Sequence, residues 1–344
     1  MNCTSRGLIV VSSLLFTCSP LWPQQLPEIP YRSIRLRDWR PGSPQSEETG
    51  IQIFSSDVNS KGKLFVIWKQ YQGQGQGQHL VELDADGKYL NDIAHVLDLE
   101  LMPHHLKIDK QDNIWITSQY EDKVTKLGPD GRVLLVLGGK QKGSPKSKYS
   151  LFKDVDDIAF DTQSNIYISY LDGYINKLDK DGNLLKSWGK QGDQPGQFKT
   201  SAHRIALDSS GSVYVVDVGN RRIQVFDSDG KFLRQFTIDV PAPPDARWPN
   251  GTAPTGPAPK PPWPVFALCI TPGPSQFLYV SDAFPGRIYK LSLEGKVVGE
   301  FGKAGRKPGE FDLIHEISCP SENELYVTEL GLWRVQKLNL QPIH

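Results

Sequence analysis

One pattern recurs six times along the chain, and it leaves little freedom about the fold. An apolar strand ends at an acidic or polar turn, and a second strand centred on an aromatic residue follows. The second strand reads LFVIW (64–68), NIWIT (113–117), NIYIS (165–169), SVYVV (212–216), FLYVS (277–281) and ELYVT (324–328). Each alternates with period 2 and is rich in β-branched and aromatic residues, as a half-buried strand requires. The central aromatics are Phe65, Trp115, Tyr167, Tyr214, Tyr279 and Tyr326, spaced by 50, 52, 47, 65 and 47 residues. That period is one four-stranded blade, so the expected fold is all-β, a six-bladed β-propeller.

The rest of each blade is also legible. A third strand recurs as KVTKL (123–127), YINKL (174–178), RIQVF (222–226), RIYKL (287–291) and RVQKL (334–338). Five repeats then turn at Asp86-Gly87, Asp130-Gly131, Asp181-Gly182, Asp229-Gly230 or Glu294-Gly295. Glycine supplies the positive φ such hairpins need. The sixth repeat runs out after its third strand. Its fourth strand is expected from Ser33–Trp39 (SIRLRDW), which would pair with the last blade and close the ring. Closure leaves only short, protected sheet edges.

Gly7–Cys18 (GLIVVSSLLFTC) behind Arg6 reads as the apolar core of an export signal; at 12 residues it is shorter than the about 20 a membrane span needs. Residues 1–25 are therefore read as a signal peptide and 26–344 as a single propeller, periplasmic or extracellular. Thr17 makes Cys18 a poor match to a lipid-anchor site, so no anchor is expected there, nor any transmembrane span later in the chain. With 39 basic and 39 acidic residues the chain has no net charge, which argues against nucleic acid and against an electrostatic membrane surface. Nothing calls for an oligomer, and a monomer is expected. Two of the four cysteines, Cys269 and Cys319, lie beyond the signal. They are read as a possible bridge or as two buried free thiols, with the free thiols at least as well favoured.

Repeats put equivalent positions around one axis. Counting back 11 residues from the aromatic gives His104 from Trp115, His203 from Tyr214 and His315 from Tyr326. These belong to alternate repeats, about 120° apart in a six-bladed ring, so the imidazoles should converge on the central channel. The same offset gives Asp156 in repeat three, and Phe54 and Leu268 in repeats one and five. Three neutral imidazoles with a fourth position open is the geometry of catalytic zinc. The competing reading is that these histidines serve local turn geometry. On the same face should lie the Gln/Gly loop Gln70–Gln78 and a connector, Pro241–Pro264, with 10 prolines in 24 residues. Such loops are either lids or extended surface segments. Asn250-Gly-Thr in the connector is a glycosylation sequon.

The segment HRIALDSSGSVYVVDVGNRRIQVFDSDGKFLRQF (203–236) resembles an NHL repeat, and the resemblance extends over the remaining repeats. The histidine pattern is similar to that of the peptidyl-α-hydroxyglycine α-amidating lyases, which are six-bladed propellers. That resemblance implies a zinc ion held by His104, His203 and His315, with His105 a competitor in the first motif. It implies a structural calcium at the centre of the ring, and a catalytic tyrosine near Tyr170 or Tyr174 with Asp156 or Asp157 assisting proton transfer. The ligand would be a small molecule or peptide on the histidine-bearing face. The family's two substrate-holding arginines are not matched: Lys69 or Gln70 and Val218 stand there, and Leu313 stands in place of a methionine.

Two other functions compete. One is a non-catalytic binding scaffold, with Tyr71, Tyr120, Tyr170, Trp263 and Trp333 as an aromatic surface. The other is a lactonase-like hydrolase with a metal held by Asp217, Asp282 and Glu329. These acids are equally suited to bonding their own loops.

Overall fold

The computed structural model describes residues 26–36, 51–70, 77–93, 103–139, 152–248, 252–253, 255 and 260–341. The expected signal segment, Cys18, Tyr71, the middle of the Gln/Gly loop and the Asn250 sequon lie outside these residues. Within them the fold is all-β, six antiparallel four-stranded sheets arranged as blades. Blade 1 comprises Ile51–Val58, Leu64–Gln70, Gly77–Leu83 and Tyr89–Asp92; blade 2 comprises Pro103–Ile108, Ile114–Ser118, Lys123–Leu127 and Val133–Gly138. Blade 3 comprises Val155–Phe160, Ile166–Tyr170, Tyr174–Leu178 and Leu184–Gly189; blade 4 comprises Ala202–Leu207, Val213–Asp217, Arg222–Phe226 and Phe232–Phe236. Blade 5 comprises Val265–Ile270, Leu278–Asp282, Ile288–Leu291 and Val297–Phe301. Blade 6 takes Ile314–Ser321, Glu324–Glu329 and Arg334–Leu340 from the chain end and its outer strand, Tyr31–Leu36, from near the start. Tyr31 pairs with Leu340 and Leu36 with Val335, so the ring closes as the sequence predicts. The innermost strand of each blade touches that of the next, and blade 6 touches blade 1.

The second strands are buried on both faces, because apolar side chains of neighbouring sheets interdigitate. Between blades 1 and 2 these include Ile67, Leu80, Leu106 and Ile116; between blades 3 and 4, Tyr167, Val215 and Phe226. Each such side chain contributes about 1.5–3 kcal/mol by leaving water. Asp-Gly corners hold the opposite face. At Asp227–Lys231 the Asp227 carboxylate accepts the backbone N–H groups of Asp229 and Lys231. Gly230 there has φ +81°, and a Cβ on it would meet the Trp188 ring at 2.4 Å.

Cys269 and Cys319 are disulfide-bonded, which corrects the preference for free thiols. They sit on the innermost strands of blades 5 and 6, which adjacent positions in the ring bring face to face. Among the described residues no helix is long and apolar enough to cross a membrane. The described part of the Pro-rich connector packs on blade 5: Arg287 donates to the carbonyls of Val240 and Pro241, and Trp248 lies against Phe284.

Candidate metal centre

Every innermost strand is interrupted by a bulge near its start. The pairing register slips between Ile53 and Ser55, Pro103 and His105, Val155 and Ile158, Ala202 and Ile205, Val265 and Leu268, and Ile314 and Glu316. The first unpaired residue inside each slip lies three before the partner of the blade's central aromatic. These residues are Phe54, His104, Asp156, His203, Phe266 and His315. In blade 5 the residue is therefore Phe266, not Leu268. The hairpin of blade 5 is two residues longer, with Cys269 opposite Tyr279 where blade 4 sets Ala206 opposite Tyr214. A bulge bends its strand and re-aims a side chain. Here it gathers the histidine rings of the even blades, whereas Phe54 packs in the core between blades 1 and 2.

The bulges bring the histidines together. The ring centroid of His315 lies 5.2 Å from that of His104 and 6.3 Å from that of His203. His105, the competitor named from sequence, joins them: its ring is 4.4 Å from His104 and stacked on His315 at 4.8 Å. The nitrogens of His104, His105 and His315 come within 4.8 Å of one another and could hold a metal ion; His203 is not part of that group.

The outer nitrogens follow one rule. His203 Nδ1–H donates to the Phe266 carbonyl at 3.1 Å, and His315 Nδ1–H donates to the Phe54 carbonyl at 2.8 Å. His104 Nδ1 lies 3.0 Å from Asp156 Oδ1, without the alignment of a hydrogen bond. Each histidine therefore faces the bulge residue of the next blade. A carbonyl can only accept, so in His203 and His315 the proton is on Nδ1 and Nε2 keeps its lone pair. This is the outer contact that orients a metal-ligating imidazole. His105 meets the same condition through a carboxylate: its Nδ1 bonds Glu316 at 2.8 Å, and its Nε2 is buried without a hydrogen bond.

The electrostatics favour neutral rings. Burial, reinforced by the Arg204 guanidinium, lowers the pKa of His203 to about 4 and holds His105 and His315 well below the ordinary range. Burial alone would raise the Asp156 carboxyl. The neighbouring His203, His104 and Arg204 outweigh it, so the group is held low and ionised. Asp156 Oδ2 is buried and accepts no hydrogen bond.

The tyrosines stand apart. Tyr170 is 4 % exposed in the core between blades 2 and 3; its hydroxyl accepts from Asn176 Nδ2 and has its pKa raised by burial. Tyr174 is 45 % exposed at the start of the third strand of blade 3. Neither bonds the histidines. The aromatic recognition surface does not assemble from Tyr170 and Trp263, which are both buried; the Trp263 indole donates to the Val240 carbonyl. The acids considered for a lactonase site hold their own loops. Asp217 binds Arg222 and Asn220, Asp282 accepts from Tyr289 and the Gly286 and Arg287 N–H groups, and Glu329 binds Arg334 and Gln336. Sequence reasoning missed Arg204, fully buried beside His203, and Glu316 beside His315. A charged residue directly after His203 and after His315 is the signal that could have found them.

Comparison with known proteins agrees with this architecture. The NHL repeat family matches residues 200–226, which carry His203. Peptidyl-glycine alpha-amidating monooxygenase A of Xenopus laevis is 30% identical over 291 residues, covering 79% of this chain and 28% of that protein. Peptidyl-alpha-hydroxyglycine alpha-amidating lyase 1 of Drosophila melanogaster is 25% identical over 254 residues, covering 69% of this chain and 44% of that protein. The chain thus spans under a third of the frog relative and under half of the fly one. The crystal structure of virginiamycin B lyase from Staphylococcus aureus superposes with a TM-score of 0.57 at 14% identity, over 91% of this chain and all of that one, a likeness of fold alone. This chain is an NHL-repeat six-bladed β-propeller that resembles the peptidyl-α-hydroxyglycine α-amidating lyases in its three-histidine pattern.

Proposed function

We propose that this protein is an exported, monomeric, zinc-dependent lyase of the amidating type, with zinc held by His104, His203 and His315. The observation that carries the reading is that the three imidazoles occupy one bulge position in alternate blades. Two of them have the outer nitrogen fixed by a carbonyl of the next blade. His105 follows the bulge residue and pairs with Thr117, so it is read as a neighbour of the site rather than as one of its three ligands. Bound there, zinc would polarise the hydroxyl oxygen of a carbinolamide.

The chain's own groups would supply the proton steps. Asp156 Oδ2, ionised and without a donor, takes the hydroxyl proton. The C–N bond then breaks, the oxygen becomes the carbonyl of glyoxylate, and the nitrogen leaves as the amide after regaining a proton. Of the two tyrosines, Tyr174 is the one open to a ligand. The Cys269–Cys319 disulfide supports export, since such bonds persist in oxidising compartments.

The test is metal content by mass spectrometry together with glyoxylate release from a peptidyl-α-hydroxyglycine. About one equivalent of zinc and zinc-dependent glyoxylate are expected, both lost in His203→Ala. Zinc without glyoxylate would remove the lyase and keep the site; no zinc after reconstitution would make the histidines structural.

A further inference from the structure

The centre of the ring, beneath the histidines, is filled by charge. Arg204 is fully buried; its Nε donates to the His315 carbonyl at 3.1 Å and its Nη2 reaches the same oxygen. Nη1 lies 3.4 Å from Asp156 Oδ1, and Nε lies 3.8 Å from Glu316 Oε2. Lys107 Nζ donates to Glu316 Oε1 at 2.6 Å. One guanidinium therefore connects three histidine-bearing places: its own strand next to His203, the backbone of His315, and the carboxylate facing His104.

A calcium ion at this place would need about six to eight oxygen ligands. The carboxylates available are the buried Asp156, Asp157 and Glu316 and the half-buried Asp57. Asp57 accepts the Val58 and Ile108 N–H groups, and Asp157 accepts those of Ile158 and Ile205. Glu316 accepts from Lys107 and His105. With Arg204 on Asp156 Oδ1, Asp156 Oδ2 is left as the carboxylate oxygen of this group without a hydrogen bond. His105, Asp157 and Glu316 lie close enough to share a metal ion, but one of the three offers a nitrogen and every carboxylate oxygen of the other two already has a hydrogen-bond partner, so these side chains do not fit a calcium ion.

We infer that Arg204 is the central tie of this propeller, a built-in cation that joins the strands carrying His203, His315 and Asp156 in place of a bound divalent ion. An amino-acid cation cannot be removed by a chelator or by dilution, so the ring's stability becomes independent of calcium. Arg204 is a positioning residue: it orients the histidine strands and touches no substrate.

The experiment is thermal unfolding of the full chain in calcium-free buffer and in millimolar calcium chloride, for wild type, Arg204→Ser and Arg204→Lys. Each is measured with and without one equivalent of zinc, so failure of the zinc site leaves the result readable. Wild type is expected to hold no calcium after dialysis and to melt at the same temperature in both buffers. Arg204→Ser leaves Asp156 and Glu316 without the guanidinium and is expected to melt about 10 °C lower. Calcium should recover part of that loss, because the freed carboxylates can then take the ion. Arg204→Lys restores the charge without the fork and is expected to lie between. A stoichiometric calcium in wild type, a calcium-dependent wild-type melting temperature, or Arg204→Ser and Arg204→Lys both melting with wild type would overturn the inference. If Arg204→Ser does not fold, the wild-type and Arg204→Lys measurements decide it.

Discussion

Blades 2, 4 and 6 bend their innermost strands at the same place as blades 1, 3 and 5, yet the two sets fill the bend differently. The even blades present His104, His203 and His315. The odd blades present Phe54, Asp156 and Phe266. The even set carries the lone pairs; the odd set carries the acceptors that aim them, two through backbone carbonyls and one through a carboxylate. On the proposed zinc reading, a repeated backbone device thus separates into ligand and support. Where the support is a carbonyl, its side chain is irrelevant to aim. Where it is a carboxylate, the side chain is the support.

The largest break in this comparison is loss of an even-blade imidazole. His203→Ala is expected to weaken zinc binding by about a hundredfold or more, measured by competition with a chromogenic chelator. His105→Ala should leave zinc affinity much closer to wild type, which separates the bulge histidine from its neighbour.

Next comes the one odd-blade support made by a side chain. Asp156→Ala removes the group facing His104 and should cost about 10–100-fold in zinc affinity, the range for outer contacts of metal ligands. An undiminished affinity would show that His104 needs no partner.

A smaller effect is read by pH. His203 has its folded-state pKa lowered to about 4, while the unfolded ring titrates near 6.5. Below about pH 6.5 the unfolded chain takes up a proton that the folded ring refuses. Stability of the metal-free protein is therefore lost as pH falls from about 6.5 to about 4, by up to about 1.4 kcal/mol per pH unit for this group. Asp157 and Asp282, both raised to about 6 by burial, act in the opposite sense. The difference between wild type and His203→Ala, from denaturant melts at several pH values, removes their contribution. That difference should shrink steadily on acidification; a constant difference would mean that the ring is protonated in the fold.

The smallest effect is expected at the carbonyl supports. Phe266→Leu keeps the backbone acceptor of His203 and should change zinc affinity by less than about twofold, since only the carbonyl is used. A tenfold loss would mean that the ring, which lies 5.6 Å from His203, matters to its aim.

Much of this molecule was legible before folding was considered. Period-2 alternation around Phe65, Trp115, Tyr167, Tyr214, Tyr279 and Tyr326 names the strands, and their spacing names the blades, because five of the six blades are local units whose hydrogen bonds close within about 50 residues and the sixth is completed by Tyr31–Leu36. The same counting finds His104, His203 and His315, since a repeated strand carries equivalent positions to equivalent places. It misplaced blade 5, where two extra residues in a hairpin shift the offset from Phe266 to Leu268. It also could not pair Cys269 with Cys319, because their contact depends on blade 5 meeting blade 6. It could not see that Tyr170 and Trp263 face inward, or that Arg204 reaches across the axis to His315. Strand identity and repeat register are properties of short stretches of chain, and the sequence by itself determined them. Which side chains from different blades share the channel depends on the closure of the ring, and only the tertiary structure decided it.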